Sequence, residues 1–289
     1  MNLTNYHSHC TFCDGRASME EYVKAAVGAG FTAYGVSSHA PLPFPAEWTM
    51  PLEQLPAYLR ELSRLKEKYA GQIELYGGLE IDYLDDRHHA GIPLFQELPL
   101  DYRIGSVHLV HADGGEIVDT DTGGDHFKML ADRYFHGDVK EIARRYYEAC
   151  GRMLECGGFD FVGHADKIAW NMEYCKPGVT DELWYRNLRD GFFASVARKG
   201  VMLEINTKAY RSKGCFFPGE AHFATIRRLN IPVVVNSDAH FPDLIDAGRL
   251  EALKALKKAG FRSVMELHAG EWRETLIGVS WGPDKPEGE

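Results

Sequence analysis

The chain has 289 residues, of which 45% are hydrophobic and 26% are charged, and its formal net charge at pH 7 is −10. This acidic balance weighs against general affinity for nucleic acid, because phosphate backbones attract basic protein surfaces. No apolar run reaches the roughly 18 residues that a membrane-spanning helix needs. We therefore expect a globular protein with neither a nucleic-acid partner nor a membrane role.

The N-terminal residues lack the basic region and the apolar core of a secretory signal, so a cytoplasmic location is expected. The six cysteines are predicted to be reduced thiols, since a chain of this size in a reducing compartment does not need disulfides. Cys10 and Cys13 form a single C-x-x-C, a spacing found in redox pairs and zinc fingers. Neither a second C-x-x-C nor a thioredoxin-like pattern accompanies it, and we interpret the two cysteines as small, partly buried residues.

Short apolar runs alternate with amphipathic segments along the chain, which is typical of alternating strands and helices. The predicted strands are residues 3–7, 33–38, 73–80, 103–108, 159–164, 201–206 and 232–238. The run from 231 to 236 is continuous and rich in β-branched residues, as expected of a strand that is buried on both faces.

Amphipathic helices are predicted between these strands. Ser18 and Glu21 match a capping box at the start of the first helix, and Gly28 and Gly30 end it. Apolar stripes with helical spacing recur in residues 142–153, 183–192 and 250–256. We interpret all of these stripes as faces that pack on the core.

Seven parallel strands with covering helices favour a closed or nearly closed α/β barrel. An open doubly wound sheet usually carries a glycine-rich phosphate loop, which this sequence lacks. Residues 1–280 are predicted to form a single domain, and residues 281–289 a flexible tail. Residues 111–137 are predicted to form a long loop after the fourth strand, and long loops in compact domains are usually functional.

Histidines and carboxylates stand at the C-terminal ends of the predicted strands, where barrel enzymes carry their active sites. They are His7, His9, His39, Glu80, His108, His164, Asp238 and His240, with Asp14 just beyond the first strand. Residues i and i+2 of a strand point to the same side, so His7 and His9 can face one cation, and the two oxygens of Glu80 can bridge two. Histidine and carboxylate without thiolate suit zinc, iron or manganese.

Six short motifs, in this order, resemble those of the PHP (polymerase and histidinol phosphatase) superfamily. They are His7-Ser8-His9 with Asp14-Gly15, Ser38-His39-Ala40-Pro41, Gly78-Leu79-Glu80, Gly105-Ser106-Val107-His108, Gly163-His164-Ala165-Asp166 and Asn236-Ser237-Asp238-Ala239-His240. Within the superfamily the resemblance is greatest to the monofunctional histidinol-phosphate phosphatases. It extends from Asn5 to about His240.

The resemblance implies a distorted, TIM-like (β/α)7 barrel of the PHP type that holds three divalent metal ions. It implies that the first ion is held by His7, His9, Glu80 and Asp238, the second by Glu80, His108 and His164, and the third by Asp14, His39 and His240. Asp14 departs from superfamily members that have histidine at this position. The implied reaction is hydrolysis of the phosphate monoester L-histidinol phosphate to L-histidinol and phosphate, in histidine biosynthesis.

The expected mechanism uses a metal-activated hydroxide that attacks phosphorus. Asp238 and His240 are the predicted catalytic residues, and either His240 or a metal-bound water would protonate the leaving group. Lys167, Lys208 and Arg211 follow two strand ends and are candidates for phosphate binding, Arg211 by a bidentate contact. Three aspartates of the long loop are candidates for the substrate's amine: Asp119, Asp121 and Asp125.

Two alternatives remain open from the sequence. The metal motifs are shared across the superfamily, so the substrate could be another phosphomonoester or a nucleotide. The chain could also be a noncatalytic metal-binding barrel, although all nine ligand positions are filled. The sequence carries no signal for the oligomeric state.

Overall fold

The computed structural model describes residues 3–278, and the predicted tail, 281–289, lies outside the described residues. The strands are β1 (Thr4–Asn5), β2 (Ala33–Val36), β3 (Glu74–Gly77), β4 (Glu80–Asp82), β5 (Ile104–Ser106), β6 (Leu109–His111), β7 (Ile117–Asp119), β8 (Phe161–Val162), β9 (Met202–Asn206), β10 (Val233–Asn236), β11 (Ser263–His268) and β12 (Glu271–Leu276). The helices are α1 (Met19–Gly28), α2 (Leu55–Lys68), α3 (Pro93–Gln96), α4 (Gly124–Phe135), α5 (Val139–Cys156), α6 (Ile168–Cys175), α7 (Leu183–Lys199), α8 (Tyr210–Lys213), α9 (Phe223–Arg228) and α10 (Arg249–Lys258).

The strands form an α/β fold built on two parallel sheets. One sheet has the order β1-β2-β3, and the other has the order β10-β9-β8-β5-β4. Every pairing within these two sheets is parallel, because a helix returns the chain between most successive strands. The alternation of strand and helix predicted from the sequence is therefore confirmed.

The two sheets meet at two places, and predicted site residues lie at both. At the first, a parallel bridge joins His39 to Glu80. At the second, a parallel bridge joins Ser8 to Ala239, and His9 N donates a hydrogen bond to Ala239 O over 2.9 Å. His9, His39 and Glu80 therefore lie where the two sheets adjoin.

The third predicted strand, residues 73–80, is in fact two short strands in different sheets. β3 ends at Gly77 and pairs with β2, whereas β4 begins at Glu80 and pairs with β5. A Cβ atom on Gly77 would lie 1.8 Å from Leu62, and one on Gly78 would lie 2.5 Å from the Tyr102 ring. The prediction of one continuous strand is wrong because these glycines let the chain bend against two core side chains.

The segment 111–137 is more ordered than the long loop predicted from the sequence. β6 and β7 form an antiparallel hairpin, and α4 follows within the same segment. The prediction of a loop is wrong because the sequence signals here are weak. The strands are short with one apolar face, and the helix begins at Gly124, so both give weaker patterns than the long helices do.

After α10, β11 and β12 form a second antiparallel hairpin, which the sequence analysis did not identify. Trp272 of this hairpin packs its ring 5.1 Å from the Tyr6 ring and 5.8 Å from the Phe161 ring, centroid to centroid. Its indole nitrogen donates to Asp160 over 3.0 Å. The hairpin thus covers the end of the sheets opposite to the strand ends that carry the histidines.

The predicted helix faces pack on the core as expected. In α1 the capping box between Ser18 and Glu21 is present, and Met19, Tyr22, Val23 and Ala26 are buried. The longer helix α5 buries a stripe that includes Ile142, Tyr146 and Met153. Among the described residues, no helix combines the length and apolar character that crossing a membrane requires.

Candidate metal centre

Three groups of side chains offer metal-binding atoms that lie within 4.8 Å of one another. The groups are His9, Asp14, His39 and His240; His7, His9 and Glu80; and His39, Glu80 and His108. The two other predicted ligands join them, since His164 Nε2 lies 2.7 Å from Glu80 Oε1 and Asp238 Oδ1 lies 3.2 Å from His9 Nε2. The structure therefore brings together all nine residues that the sequence predicted.

Glu80 lies at the middle of the cluster with 1% of its surface exposed. Its Oε2 is 3.2 Å from His7 Nε2 and 2.9 Å from His39 Nδ1, and its Oε1 is 3.5 Å from His108 Nε2. The two oxygens thus face different sets of histidines. This arrangement is the one expected of a carboxylate that bridges two cations.

Within the part of the chain that the structure describes, several of these buried atoms make no hydrogen bond of acceptable geometry, although some of them lie as close as 2.9 Å to one another. They are His7 Nε2, His9 Nε2, Asp14 Oδ1, His39 Nδ1 and Glu80 Oε2. Burying a polar atom without a partner costs about 1–3 kcal/mol, so one such group is uncommon and a converging set calls for an explanation. Two ligands about 2.1 Å from one divalent ion lie roughly 3.0–3.5 Å apart, as several of these atoms do. The donor set therefore fits divalent metals.

Asp14 reaches the cluster on a tight turn that follows β1. Its Oδ2 lies 3.3 Å from His240 Nε2, and its Oδ1 lies 3.9 Å from His39 Nε2. The turn is close-packed, because a Cβ on Gly15 would lie 2.3 Å from the backbone of His9. The turn that brings the Asp14 carboxylate to the two histidines thus requires glycine at position 15.

A second layer of buried polar groups holds the histidines, and the sequence analysis missed it. Glu204 Oε1 accepts from His7 Nδ1 at 2.8 Å, and Glu204 Oε2 accepts from the backbone nitrogen of His164 at 2.7 Å. Asp82 Oδ1 lies 2.9 Å from His108 Nδ1. Such partners fix which ring nitrogen is free to bind a metal. A charged residue between Leu203 and Ile205 in an apolar strand was the available signal.

Three residues at the strand ends have left-handed backbone conformations although they are not glycine. They are His164 (φ 21°), Asp166 (φ 63°) and Asp238 (φ 47°). Such conformations cost of order 1–3 kcal/mol each and cluster at functional sites. Asp166 is buried and accepts a hydrogen bond from Tyr185 OH at 2.7 Å and another from Tyr147 OH, contacts that hold this strained segment.

The buried charges shift each other's pKa values strongly. Burial alone would lower the pKa of His7, but the carboxylates of Glu204, Glu80 and Asp238 raise it well above its ordinary value. Burial likewise opposes the effect of Asp82 and Glu80 on His108, whose pKa rises to about 9. Burial and neighbouring histidines lower the pKa of His9. The pKa of Glu80 is held well below its usual value, since the histidines around it outweigh its burial. A carboxylate ionised in this way is ready to bind cations.

A cavity of ≈ 360 Å³ opens beside this cluster. It is lined by Asp14, His39, Trp48, His108, Asp119, Asp121, Thr122, Lys167, Lys208, Asp238 and His240. Lys208 Nζ lies 3.2 Å from Asp238 Oδ1, and Lys167 Nζ donates to Asp121. The structure thus places two of the three predicted phosphate-binding residues at the cavity. Arg211 is exposed elsewhere and donates to the carbonyl oxygen of Asp243 over 3.4 Å.

All six cysteines are free thiols, and two of them lie behind the cluster. Cys10 Sγ is 3.3 Å from Ser38 Oγ, and Cys13 Sγ is 3.6 Å from His9 Nδ1. Cys13 therefore contacts the ring nitrogen of His9 that faces away from Glu80.

Comparison with known proteins extends this picture. The family model described as "PHP domain" matches residues 5–208. A Deinococcus radiodurans protein named "Probable histidinol-phosphatase" is 30% identical over 275 residues, which cover 92% of this chain and 97% of that protein. The Bacillus subtilis "Histidinol-phosphatase" is 25% identical over 258 residues, which cover 83% of this chain and 94% of that protein.

Two solved structures share the fold. One is described as the putative histidinol phosphatase of Listeria monocytogenes, with a TM-score of 0.75, 22% identity, and coverage of 86% of this chain and 99% of that chain. The other is the histidinol phosphate phosphatase of Lactococcus lactis complexed with zinc, L-histidinol and phosphate. It has a TM-score of 0.70 and 21% identity, and covers 94% of this chain and 99% of that chain. The family model matches well over half of the chain, and the chain therefore belongs to the PHP domain family.

Proposed function

We propose that this chain is a metal-dependent histidinol-phosphatase that hydrolyses L-histidinol phosphate to L-histidinol and phosphate in histidine biosynthesis. The observation that carries the proposal is the set of buried, unpartnered ligand atoms around Glu80, next to a cavity with two lysines. The relatives named histidinol-phosphatase align over nearly the whole chain, which supports this substrate. The Lactococcus lactis protein, which shares the fold, binds zinc, L-histidinol and phosphate.

We assign three divalent ions, zinc, iron or manganese, to the nine residues. His7, His9, Glu80 and Asp238 would hold the first; Glu80, His108 and His164 the second; and Asp14, His39 and His240 the third. The close approaches of His39 Nδ1 to Glu80 and of His39 Nε2 to Asp14 also allow His39 to take part in either of two neighbouring sites.

When bound, divalent metals would supply hydroxide at neutral pH and positive charge against the phosphate oxygens. The chain's own groups bind and orient the ester. Lys167 and Lys208 provide two ammonium groups at the cavity for a doubly charged phosphate. We leave Arg211 out of this subsite, because its guanidinium donates to the carbonyl of Asp243 instead.

His240 is the residue that we assign to proton transfer. It lines the cavity, its side chain is 15% exposed, and its Nε2 lies 3.4 Å from Lys208 Nζ and 3.3 Å from Asp14 Oδ2. Its Nδ1 lies 3.0 Å from the carbonyl oxygen of Asp238, which fixes the ring. Nε2 is thus the ring nitrogen left for both roles, and it can deliver a proton to the alcohol oxygen that leaves only when it does not hold the third ion. Asp238, which the sequence predicted to be catalytic, is assigned here as a positioning residue for Lys208, whose Nζ lies 3.2 Å from its Oδ1.

We further infer that the two sheets form one distorted (β/α)7 barrel. The bridges Ser8–Ala239 and His39–Glu80 join β1 to β10 and β2 to β4 at the two sheet boundaries. Residues 1–280 would form this single domain. We also propose that the protein acts in the cytoplasm on this small molecule, without a nucleic-acid or membrane partner.

A substrate panel tests the proposal. Metal-stripped protein is reconstituted separately with zinc, manganese and iron, and phosphate release is measured from L-histidinol phosphate beside several other phosphomonoesters, including a nucleotide. We expect a kcat/KM for histidinol phosphate at least a hundredfold above that for the other esters. Metal-dependent turnover spread evenly over the panel would keep the metal site and overturn the substrate. Stoichiometric metal binding without turnover of any ester would identify a noncatalytic metal-binding protein.

A further inference from the structure

The cavity beside the metal centre carries opposite charges on its walls. Lys167 and Lys208 bring two ammonium groups, and the segment after β7 brings the carboxylates of Asp119 and Asp121. Lys167 and Asp121 form an ion pair, with side chains that are 14% and 30% exposed. Asp119 lies beside this pair, and its Oδ1 accepts from the backbone nitrogen of Asp121 at 2.7 Å. Both carboxylates therefore lie in one short segment of the cavity wall, and Asp121 is the one that pairs with Lys167.

The acidic segment is held in place from both sides. The backbone nitrogen and the hydroxyl of Thr120 donate to the carbonyl oxygen of His108 over 2.7 Å and 2.8 Å. The buried amide of Asn171 in α6 donates to the carbonyl oxygens of Thr120 and Thr122 over 3.0 Å and 2.8 Å. These bonds attach the segment to a metal-site strand end and to the helix that follows Lys167. A carboxylate fixed in this way binds a cation with little loss of conformational entropy.

The proposed metal centre forms one wall of this cavity. His39 lines it and is 6% exposed, and its Nδ1 atom lies 2.9 Å from Glu80 Oε2. Since Asp14 and Asp238 belong to the metal centre, Asp119 and Asp121 are the acidic lining residues that no metal assignment uses. A phosphate ester without a positive charge would place its dianion in a cavity that also holds these two carboxylates. An ester with an ammonium group would match both signs of charge.

We propose that Asp121, supported by Asp119, determines specificity by binding the ammonium group of a zwitterionic phosphate ester. The substrate replaces the internal ion pair: its ammonium takes the place of Lys167 at Asp121, and its phosphate takes the place of Asp121 at Lys167. This inference rests on the proposed function, because histidinol phosphate carries both groups on one short chain.

The test compares two esters that differ in one group, L-histidinol phosphate and its analogue without the amine, 3-(imidazol-4-yl)propyl phosphate. Steady-state kcat/KM is measured for both with the zinc-loaded wild type, with Asp121→Asn, and with Asp113→Asn as the matched control. Asp113 is 88% exposed, lies in the β6–β7 turn, and pairs with Arg145 outside the cavity.

We expect the wild type to prefer the amino ester at least tenfold. Asp121→Asn should lower kcat/KM for histidinol phosphate at least tenfold, because the amide cannot pair with the ammonium. Turnover of the amine-free ester should stay the same or rise up to threefold, since Lys167 is freed for phosphate. Asp113→Asn should keep the wild-type preference. Unchanged turnover of the amine-free ester also shows that the variant is folded.

Three results would overturn the inference while leaving the proposed function in place. In the first, the wild type has the same kcat/KM for both esters. In the second, Asp121→Asn keeps the wild-type preference for the amino ester. In the third, Asp121→Asn loses the same fraction of kcat/KM on both esters. The last result would assign Asp121 to the positioning of Lys167 alone. A wild type that hydrolyses neither ester would overturn the proposed function and this inference together. This outcome is seen with the wild-type protein alone, so it is distinguished from a failure of the inference.

Discussion

Glu204 Oε1 lies 2.8 Å from His7 Nδ1, and both side chains are fully buried. The same carboxylate accepts from the amides of Asn236 and Asn206 and from the backbone of His164. One residue of β9 thus orients two of the proposed metal ligands, although it lies too deep to line the cavity. Its charge keeps His7 Nδ1 protonated, so that Nε2 faces Glu80 with its lone pair.

Replacing Glu204 by glutamine should weaken metal binding. The amide keeps the size of the side chain but removes the charge that fixes His7, and loss of such partners typically costs 10- to 100-fold in metal affinity. We expect a loss in this range for zinc, measured by competition with a fluorescent chelator. Glu266→Gln is the matched control, since Glu266 is 2% exposed at the opposite end of the strands and accepts from Thr4 Oγ1 at 3.3 Å. It should lower the thermal stability without changing zinc affinity, and equal zinc affinities for both variants would refute the role of Glu204.

The structure separates the three basic residues that the sequence grouped together. Lys208→Met should raise KM for the phosphate ester at least tenfold, because Lys208 lines the cavity and its ammonium lies 3.2 Å from Asp238. Arg211→Met should change KM less than threefold, because Arg211 bonds to the Asp243 carbonyl. Steady-state kinetics on both variants measure the two KM values. A large effect at Arg211 alone would show that the phosphate lies on the other side of α8.

Metal removal should lower thermal stability as well as activity. The unpartnered atoms of His7, His9, His39 and Glu80 are stabilised by a cation in the folded state only. A ligand present at 100 times its Kd adds about 2.7 kcal/mol to the free energy of unfolding. For a chain of this size this corresponds to a rise in Tm of about 4–5 °C. Calorimetry of metal-stripped protein with and without zinc measures the shift, and identical melting curves would argue against metal at this cluster.

The C-terminal hairpin is predicted to stabilise the fold without affecting the chemistry. Trp272 packs edge-on against Tyr6, Tyr102 and Phe161, so Trp272→Ala should cost about 2–4 kcal/mol of unfolding free energy. Trp170→Ala provides the matched control, since Trp170 is 41% exposed and its removal should cost less than about 1 kcal/mol. Urea unfolding gives both values. A variant of Trp272 that is as stable as the Trp170 variant would mean that the hairpin is dispensable.

The nine-residue cluster could be predicted because the sequence immediately around each residue is enough to place it near the end of a strand. Each histidine or carboxylate follows a short apolar run, and parallel strands place such ends on one edge. The alternation of strands and helices was predictable for the same reason, since the capping box of α1 and the stripe of α5 are features of continuous segments.

What the sequence did not reveal depends on contacts between distant segments. Glu204 gains its role from His7, which is 197 residues away, and the break at Gly77 and Gly78 depends on the side chains of Leu62 and Tyr102. The contact of Arg211 with the carbonyl oxygen of Asp243 likewise depends on a residue 32 positions further along the chain. Long-range packing of this kind leaves no periodic signal in the sequence.

The most direct test of the account is a metal titration of phosphate release from L-histidinol phosphate, with the wild type and His7→Ala in parallel. His7 is a proposed ligand whose Nε2 lies 3.2 Å from Glu80 Oε2. The account predicts that metal-stripped wild type is inactive and regains full turnover as bound zinc reaches the stoichiometry of the site, whereas folded His7→Ala remains inactive. Full turnover by the metal-free wild type, or by His7→Ala, would contradict it.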